Sequence, residues 1–421
     1  MLIEFSISNF MSFKDKMVFS MERSNIDKET LQENYFTEKK NNLLKSAIIL
    51  GPNASGKTNL IQAIDYLKFL VLKSRKFERN VSIRYCPFKL DEEYRNKKPI
   101  SYNIKFINNN SLYEYIVEIK NIEKLNSEYK FVINKEILKK ENKIVFDRVE
   151  NNRFPENTNK NMSKNMKLAS ELLLKNSLFL SSYGSNDLPE LKDAYEWFEK
   201  VLQTYIGDNI GNKDTINNFL NDKNFKKYLL NTLNNADLGN ISDFNIIEKE
   251  IKLGFPNNLP DSLKEEIIFN SKYQFKTYHL DDNNKSIEFD YGIEESRGTQ
   301  KYVSLIGIIH DMIKNNKVIL FDELENSLHP EILKNIFYML HRSDTKAQMI
   351  VSTHSYSLLQ YVNDIDEEVF RRDQIWFTRK RNDMSTQLYS LINIGGIRKD
   401  LRIFKAYFDG RLEALPDIKL M

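Results

Sequence analysis

Residues Gly51-Pro52-Asn53-Ala54-Ser55-Gly56-Lys57-Thr58 decide the fold, because they match a glycine-rich phosphate-binding loop in full. In such a loop the backbone N–H groups and the start of the following helix face the phosphates. We therefore predict that these residues, with the adjoining Asn59, bind a nucleotide. Lys57 is expected to reach the β- and γ-phosphates, and the Thr58 hydroxyl is expected to bind magnesium. A glycine-rich turn without a ligand is the alternative.

The segments on either side of the loop have the order that such a site needs. Ser46–Leu50 is a compact apolar run, which is typical of a buried strand. After the loop, Leu60, Ile64, Leu67 and Val71 recur at helical spacing. The sequence thus predicts a strand, the loop and a helix in succession.

A second apolar run ends in two acids, in the order Val318-Ile319-Leu320-Phe321-Asp322-Glu323. Adjacent carboxylates at the end of a buried strand are costly unless a cation or a catalytic role compensates. We expect Asp322 to hold magnesium through water and Glu323 to act on the attacking water. An ordinary strand end with solvated charges is the alternative, and the phosphate loop upstream disfavours it.

A third motif, Glu295-Ser296-Arg297-Gly298-Thr299-Gln300, precedes a helix expected from Tyr302 to Ile313. A hydroxyl residue and a glycine at a helix N-terminus can form an anion site. Because the phosphate loop of the same chain already takes the phosphates, Ser296 and Gly298 are expected to close over the γ-phosphate bound by a second copy. An ordinary serine N-cap is the alternative.

The fourth motif is Ser352-Thr353-His354-Ser355, at the end of another apolar run. His354 is expected to hydrogen-bond the γ-phosphate and to respond to its loss. A structural histidine is the alternative. The loop Glu325–Pro330 lies between the acids and this histidine, and we expect it to face a second copy.

The remaining chain predicts an α/β fold with a mixed central sheet, an N-terminal antiparallel β-subdomain and an inserted helical subdomain. The apolar patterns behind this prediction are a hairpin of Leu2–Asn9 with Val18–Met21, a meander between Ile100 and Phe146, helices in Leu168–Leu180, Leu191–Ile206 and Phe219–Leu233, strands at Tyr273–Leu280 and Ser286–Tyr291, and buried parallel strands at Val318–Phe321 and Met349–Ser352. We divide the chain into an N-terminal lobe (1–162) with the loop and the meander, the helical insertion (163–260), and a C-terminal lobe (261–421).

Composition narrows the class of protein. Hydrophobic residues make up 41% of the 421 residues, which suffices for a globular core. The net charge of +3 argues against a surface devoted to nucleic acid and leaves a local basic groove open. Cys86 is the single cysteine, which excludes a disulfide within the chain and suits a reducing compartment. No apolar segment approaches the roughly 20 residues that cross a bilayer, so we expect a cytoplasmic protein without a membrane partner.

With these motifs in order, the sequence resembles the ABC-type ATPases of the SMC, RecF and OLD group. The matching pieces are Asn9–Phe13 (NFMSF), GPNASGKTNL from Gly51, ESRGTQ from Glu295, ILFDELENSLHP from Ile319 and STHS from Ser352. Within that group it looks most like the stand-alone bacterial defence ATPases of the RloA and abortive-infection type, which have phrases similar to RYCPFKLDEE, RRDQIWFTRKR and FDGRLEALPDI.

The resemblance implies an ATPase that uses ATP and Mg²⁺ and pairs as a homodimer, or a higher homo-oligomer, with ATP between the heads. Ser296 and Gly298 would then serve the opposite subunit's nucleotide. Such ATPases often control a separate effector, frequently a Toprim-type nuclease, which here would serve antiphage defence. Because the chain stops soon after Leu415-Pro416, we expect a partner to supply any nuclease.

Two departures from the family pattern concern the nucleotide site. Met11 stands where family members usually have Arg or Lys, which puts a nucleotide contact there in doubt. No glutamine occurs between Gln62 and Gln203, so the glutamine that many ABC ATPases use to bind magnesium is not recognisable. Metal coordination then depends on Thr58, Asp322 and water.

Three alternative functions remain open at this point. The first is a DNA-repair or recombination ATPase that acts on DNA directly, although long coiled-coil arms and a strongly basic surface are missing. The second, a transport-coupled ATPase, is disfavoured by the altered motif around Ser296 and by the lack of a membrane segment. The third is a scaffold locked by nucleotide, with slow hydrolysis or none.

Overall fold

The computed structural model describes residues 1–25, 30–81, 83–122, 130–149, 153–155, 162–185, 188–207, 210–236, 238, 241–250, 254–256, 261–325, 328–362, 367–395 and 401–415. The chain divides into two compact units. Unit 1 comprises Met1–Ile206, Asn316–Leu324 and His341–Met421, and unit 2 comprises Gly207–Asn315 and Glu325–Leu340.

The strands and helices are numbered along the chain. The strands are β1 (Leu2–Ser8), β2 (Met17–Ser20), β3 (Tyr35–Glu38), β4 (Asn41–Leu44), β5 (Ser46–Leu50), β6 (Ile100–Asn108), β7 (Ser111–Asn121), β8 (Phe131–Lys140), β9 (Lys143–Val149), β10 (Leu202–Tyr205), β11 (Ile241–Glu248), β12 (Tyr273–Leu280), β13 (Ser286–Asp290), β14 (Val318–Asp322), β15 (Gln348–Ser352), β16 (Ile375–Lys380) and β17 (Thr386–Ser390). The α-helices are α1 (Lys57–Lys73), α2 (Glu92–Asn96), α3 (Lys164–Glu171), α4 (Phe179–Tyr183), α5 (Pro189–Glu196), α6 (Lys213–Asn221), α7 (Phe225–Asn235), α8 (Asp261–Lys272), α9 (Tyr291–Glu294), α10 (Arg297–Asn315), α11 (Pro330–Arg342) and α12 (Ile403–Phe408).

The central sheet of unit 1 has the strand order β10-β14-β15-β5-β16-β17. Every pair from β10 to β16 is parallel, and β17 closes the sheet antiparallel to β16. All residues of β5, β14 and β15 are buried, which explains why these strands are short apolar runs rather than alternating ones. Because parallel strands end at the same edge of a sheet, the segments after β5, β14 and β15 come together there.

The second sheet of unit 1 is antiparallel, with the order β2-β1-β6-β7-β8-β9. It confirms the predicted N-terminal hairpin and the meander, which join in one sheet through the pairing of β1 with β6. Buried positions alternate along β6 and β7, as expected for strands with one face on the core. The predicted class, α/β with a mixed central sheet and an N-terminal antiparallel subdomain, is therefore confirmed.

Between 163 and 206 the chain differs from the predicted helices. The helix expected over Leu168–Leu180 is two short helices, α3 and α4. The helix expected over Leu191–Ile206 is α5 and a π-helical turn (Trp197–Val201), followed by strand β10. β10 ends in Thr204 and Tyr205, residue types that favour strands, and its pairing with β14 overrides the helical spacing of the apolar residues.

A buried ion pair ties the meander to the segment that contains α4. The side chains of Glu136 on β8 and Arg148 on β9 are both 0% exposed, with 3.1 Å between Arg148 Nη1 and Glu136 Oε2. The Glu136 carboxylate also accepts hydrogen bonds from the backbone N–H groups of Phe179 (2.8 Å) and Leu180 (3.0 Å). Arg148 donates to the carbonyl oxygen of Ser177 at 2.6 Å. α4 therefore depends on an internal charge pair for its position.

A buried polar cluster anchors the start of β5. The hydroxyl of Ser46 lies 2.8 Å from Nε2 of His341, and Gln374 Nε2 donates to the same hydroxyl at 2.6 Å. Lys45 Nζ donates to the His341 carbonyl oxygen at 2.8 Å. Burial lowers the pKa of His341 to about 3, so the imidazole is neutral and forms its hydrogen bond with Ser46 without carrying a charge. This cluster lies at the end of β5 opposite to the phosphate loop.

Unit 2 contains the antiparallel sheet β11-β12-β13 and the packed helices α6, α7 and α10. Helix α10 extends beyond the predicted Tyr302–Ile313 at both ends. At Gly307 it approaches α6 so closely that an added Cβ would lie 2.7 Å from the Cα of Thr215. Any larger residue at 307 would separate these helices.

The division at 162/163 and 260/261 remains a prediction about domain organisation. The range 163–260 contains strands β10 and β11 besides its helices, and unit 2 begins at Gly207. Within the described ranges, no helix is both long enough and apolar enough to span a bilayer.

Candidate nucleotide-binding site

The phosphate loop connects the end of the central strand β5 to the first turn of α1. Its backbone takes left-handed conformations at Ala54 (φ 59°) and Gly56 (φ 110°). A Cβ added to Gly56 would lie 2.8 Å from Cγ2 of Thr386, and one added to Gly51 would lie 2.5 Å from the carbonyl oxygen of Thr378. Both glycines are therefore required by close packing as well as by the loop pattern.

Lys57 lies at the first position of α1 and is only 5% exposed. Its Nζ donates to the carbonyl oxygens of Gly51 at 2.8 Å and Pro52 at 3.2 Å, across the curve of the loop. The ammonium group is thus held where the loop meets the helix N-terminus. A cation and a helix N-terminus at one place favour a bound anion.

Asp322, the last residue of β14, accepts hydrogen bonds from two hydroxyl groups, one on the phosphate loop and one at the end of β15. Thr58 Oγ1 donates to Asp322 Oδ1 at 3.2 Å, and the Ser352 hydroxyl donates to the same oxygen. The residue is 7% exposed, and burial raises the pKa of its carboxyl group, while the hydrogen bonds from Ser352 and Thr58 act in the opposite direction.

These residues fit a magnesium ion. A carboxylate whose charge is opposed by burial is one that a cation stabilises. Magnesium at nucleotide sites takes only one or two protein oxygens and completes its shell with water and phosphate. Among the described residues, no group of three or more His, Cys, Asp or Glu side chains is placed to hold a metal ion.

Glu323 follows directly but faces a different environment. Its backbone is left-handed (φ 54°), and its N–H donates to both the carbonyl oxygen and the hydroxyl of Ser352, at 3.1 Å each. A left-handed conformation at a glutamate costs about 1 kcal/mol, which these hydrogen bonds offset. The Glu323 side chain is 41% exposed, whereas Asp322 is buried. Two adjacent acids therefore have different access to water.

His354 lies between Glu323 and Lys57. Its Nε2 is 3.6 Å from Glu323 Oε1, and its Nδ1 is 3.4 Å from Lys57 Nζ. Because the ammonium group can only donate, Nδ1 is the acceptor and the proton belongs on Nε2, towards the carboxylate. The imidazole thus connects the lysine of the loop with the exposed acid.

The segment around Ser296 belongs to unit 2. Ser296 Oγ accepts a hydrogen bond from the backbone N–H of Thr299 at 3.1 Å, which is the geometry of an N-cap on α10. The preceding Glu295 is held by β12, through the Thr277 hydroxyl (2.5 Å) and Nε2 of His279 (2.8 Å). Ser296 itself is exposed at the start of a 19-residue helix. It can therefore cap the helix and still be accessible to an anion.

Unit 1 brings together five of the predicted residues, Lys57, Thr58, Asp322, Glu323 and His354. The Asn59 side chain donates through Nδ2 to Ser12 Oγ at 2.7 Å, and its contact with a nucleotide remains a prediction. The approach of Ser296 and Gly298 to a second copy remains a prediction. In the loop Glu325–Pro330, residues 326 and 327 lie outside the described residues.

Sequence reasoning missed the hydroxyl groups that surround the loop. Ser352 was part of a predicted motif, but its bond to Asp322 was not expected. Thr378 and Thr386 contact the loop and Ser12 contacts Thr386, all from distant segments, and hydroxyl residues on strands and turns are too common to single out.

A buried loop lysine at a helix N-terminus, beside a strand that ends in a magnesium-compatible acid, defines a P-loop nucleotide-binding protein. Residues 46–360 match the model of a family described as "AAA domain, putative AbiEii toxin, Type IV TA system", and the chain belongs to this family. The match confirms the expected recognition, a P-loop ATPase related to the abortive-infection group.

Two solved structures are similar over most of the chain. One is described as the SmcHead bound to the C-winged helix domain of ScpA, with 12% identity, 93% of this chain and 98% of that chain covered, and a TM-score of 0.42. The other is the SMC head domain from Thermotoga maritima, with 11% identity, coverages of 92% and 98%, and a TM-score of 0.41. No curated protein matches the sequence.

Proposed function

We propose that the protein is an ATP-hydrolysing head of the ABC type, which pairs with a second copy when ATP is bound and thereby controls a separate effector. One observation carries the proposal. Lys57, Thr58, Asp322, Glu323 and His354, from three segments far apart in sequence, meet at one edge of the central sheet.

In this proposal residues 51–59, which include Lys57, bind the phosphates of ATP. Thr58 and Asp322 hold Mg²⁺, which when bound neutralises charge on the β- and γ-phosphates. The burial of Asp322 supports this role, because its charge needs a compensating cation. Without the glutamine that many ABC ATPases use, the metal site has these two protein ligands and water.

Glu323 is proposed as the residue that orients the attacking water, and its 41% exposed side chain supports this, since the carboxylate is accessible to water. His354 lies 3.6 Å from the Glu323 carboxylate on one side and 3.4 Å from Lys57 Nζ on the other. It is therefore placed to bind the γ-phosphate next to Lys57 and to register its departure.

Ser296 and Gly298 are proposed to complete the site of a second copy. Ser296 is exposed, and helix α10 behind it has 19 residues, so its N-terminus can contribute to anion binding at another subunit's phosphates. Domains at 1–162, 163–260 and 261–421 would then form a head that functions as a homodimer or a higher homo-oligomer.

The effector and the setting are the least direct part of the proposal. The family's description as a toxin of a toxin–antitoxin system supports a role in bacterial antiphage defence. We propose that the protein is cytoplasmic and that a separate partner, such as a Toprim-type nuclease, responds to the ATP-bound pair.

Mixing two inactive variants tests whether the site is shared between copies. Lys57→Ala damages the loop and Ser296→Arg blocks the capping segment, so each alone should lose ATP hydrolysis. In a mixed pair, the loop of the Ser296→Arg chain meets the intact Ser296 of the other chain. With equal amounts and random pairing, hydrolysis should recover to about a quarter of wild type, because half of the pairs then carry one intact site out of two.

A mixture of Lys57→Ala with Glu323→Gln provides the matched control. Both changes damage the part of the site that one chain supplies on its own, so no arrangement of the pair restores an intact site. We expect no recovery in this control. If the first mixture gives only the sum of the two separate activities, the shared site is wrong.

A further inference from the structure

Two threonines of the C-terminal hairpin β16–β17 lie against the two glycines of the phosphate loop. Thr378, on β16, occupies the space where Gly51 would carry a Cβ, and Thr386, at the start of β17, does the same at Gly56. The loop is therefore enclosed at both of its ends by side chains that come more than 300 residues later in the sequence.

The hydroxyl groups of these threonines are hydrogen-bonded to the loop backbone. Thr386 Oγ1 donates to the carbonyl oxygen of Ser55 at 2.7 Å. Thr378 Oγ1 donates to the carbonyl oxygen of Leu50 at 3.4 Å, so the Ser55 hydroxyl, 2.5 Å away, must be the donor in its bond to Thr378. The two threonines thus fix the carbonyl groups at the start and near the end of the loop.

Ser12 extends this arrangement to the N-terminal turn. The Thr386 hydroxyl also lies 2.7 Å from Ser12 Oγ, and Ser12 Oγ accepts a hydrogen bond from Asn59 Nδ2 at 2.7 Å. A continuous series of hydrogen bonds then runs from Asn59 on α1 through Ser12 and Thr386 to the loop carbonyl of Ser55. This series of hydrogen bonds therefore contacts the loop on the side where α1 begins.

The backbone and surface charges hold the two outer segments together. Thr386 N–H donates to the Ser12 carbonyl oxygen at 2.7 Å. Around this bond, Arg381 pairs with Asp15 at 2.9 Å and Lys14 pairs with Asp383 at 3.4 Å. The N-terminal turn and the tip of the hairpin form one assembly next to the loop.

We propose that Ser12, Thr378 and Thr386 are positioning residues that hold the phosphate loop in the shape that binds phosphate. All three lie outside residues 46–360, the part of the chain that the family model covers. The inference rests on the proposed function, since it assigns these residues to the same nucleotide site. A loop that is held in its binding shape loses less conformational freedom when the phosphates arrive, so affinity rises without any direct contact.

The test measures binding of ATP with Mg²⁺ by calorimetry to the full chain and its variants. Thr386→Val keeps the shape but removes the hydroxyl, and Ser12→Ala breaks the series at its middle. We expect each to weaken binding about tenfold, as the loss of one hydrogen bond to a buried group would. Thr386→Ser should restore most of the affinity, because it returns the hydroxyl group.

Ser390→Ala is the matched control on the same hairpin. Ser390 is buried on β17 and its hydroxyl donates to the Ile375 carbonyl oxygen at 3.3 Å, at the far end of the strand from the loop. This variant should lower thermal stability without changing the affinity for ATP. A structural role for the hairpin alone would make Thr386→Val behave in the same way.

Inorganic triphosphate, used as a second probe, separates the loop from contacts to the rest of the nucleotide. The same tenfold loss for triphosphate and ATP supports the proposal, and a loss confined to ATP overturns it. Wild-type affinity in Ser12→Ala also overturns it, and this variant decides the matter if Thr386→Val does not fold. If the wild-type chain binds no ATP, the proposed function fails and this inference fails with it.

Discussion

Replacement of Lys57 by alanine is expected to remove detectable ATP binding, with affinity lower by about 100-fold or more. Lys57 is the only charged residue among residues 51–58. Its ammonium group is hydrogen-bonded to the Gly51 and Pro52 carbonyl oxygens. Charge-assisted hydrogen bonds to two phosphates are about twice as strong as neutral ones. Calorimetric titration with ATP and Mg²⁺ measures the effect directly.

Lys73→Ala provides the control, since Lys73 is an exposed lysine in the last turn of the same helix. It changes the net charge by the same amount and should leave the affinity within about twofold, because an exposed charge at that distance is screened by salt. Circular dichroism should show both variants folded. An affinity of Lys57→Ala equal to that of the control would refute the assignment of the loop.

Replacement of Glu136 by glutamine is expected to lower the free energy of unfolding of unit 1 by about 3–5 kcal/mol. The change leaves the Arg148 guanidinium buried without a countercharge. It also places an NH₂ group where the carboxylate accepts hydrogen bonds from the Tyr115 hydroxyl (2.8 Å) and the N–H groups of Phe179 and Leu180. Glutamine can satisfy at most one side of that arrangement.

Urea unfolding followed by tryptophan fluorescence measures this loss. Both tryptophans lie in unit 1, and Trp197 is stacked on Phe106 with ring centroids 4.3 Å apart, so its emission reports the packing of that unit. Glu114→Gln is the control in the same sheet. Its partner Lys139 is 2.8 Å away, and both side chains are partly exposed, so the expected loss is below about 1 kcal/mol. Equal losses in the two variants would show that the buried Glu136–Arg148 pair contributes no more to stability than the partly exposed Glu114–Lys139 pair.

The sequence was sufficient to predict the strands that carry the site. β5, β14 and β15 are buried on both faces, so each is an unbroken apolar run that stands out in the chain. The positions of the loop and of Asp322 at a common sheet edge then follow from parallel pairing. The sequence alone therefore predicts that Lys57, Glu323 and His354 belong to one site.

Other features depend on tertiary pairing that no local pattern encodes. β10 was expected to be helical, because its apolar residues have helical spacing, and its pairing with β14 selects a strand instead. The left-handed backbone at Glu323 follows from two hydrogen bonds to Ser352 on the neighbouring strand. Thr378 and Thr386 reach the loop because β16 pairs with β5 and β17 pairs with β16, which the sequence does not specify.

The mass of the Glu323→Gln variant with ATP and Mg²⁺ tests the central claim, that ATP joins two copies of this chain. Glutamine keeps the size of the side chain but cannot accept a proton from water, so hydrolysis should fall by at least about 100-fold and bound ATP should persist. Analytical ultracentrifugation should then give about twice the single-chain mass of 49.8 kDa with ATP, and the single-chain mass without it. A variant that retains ATP and still sediments as one chain would contradict the account.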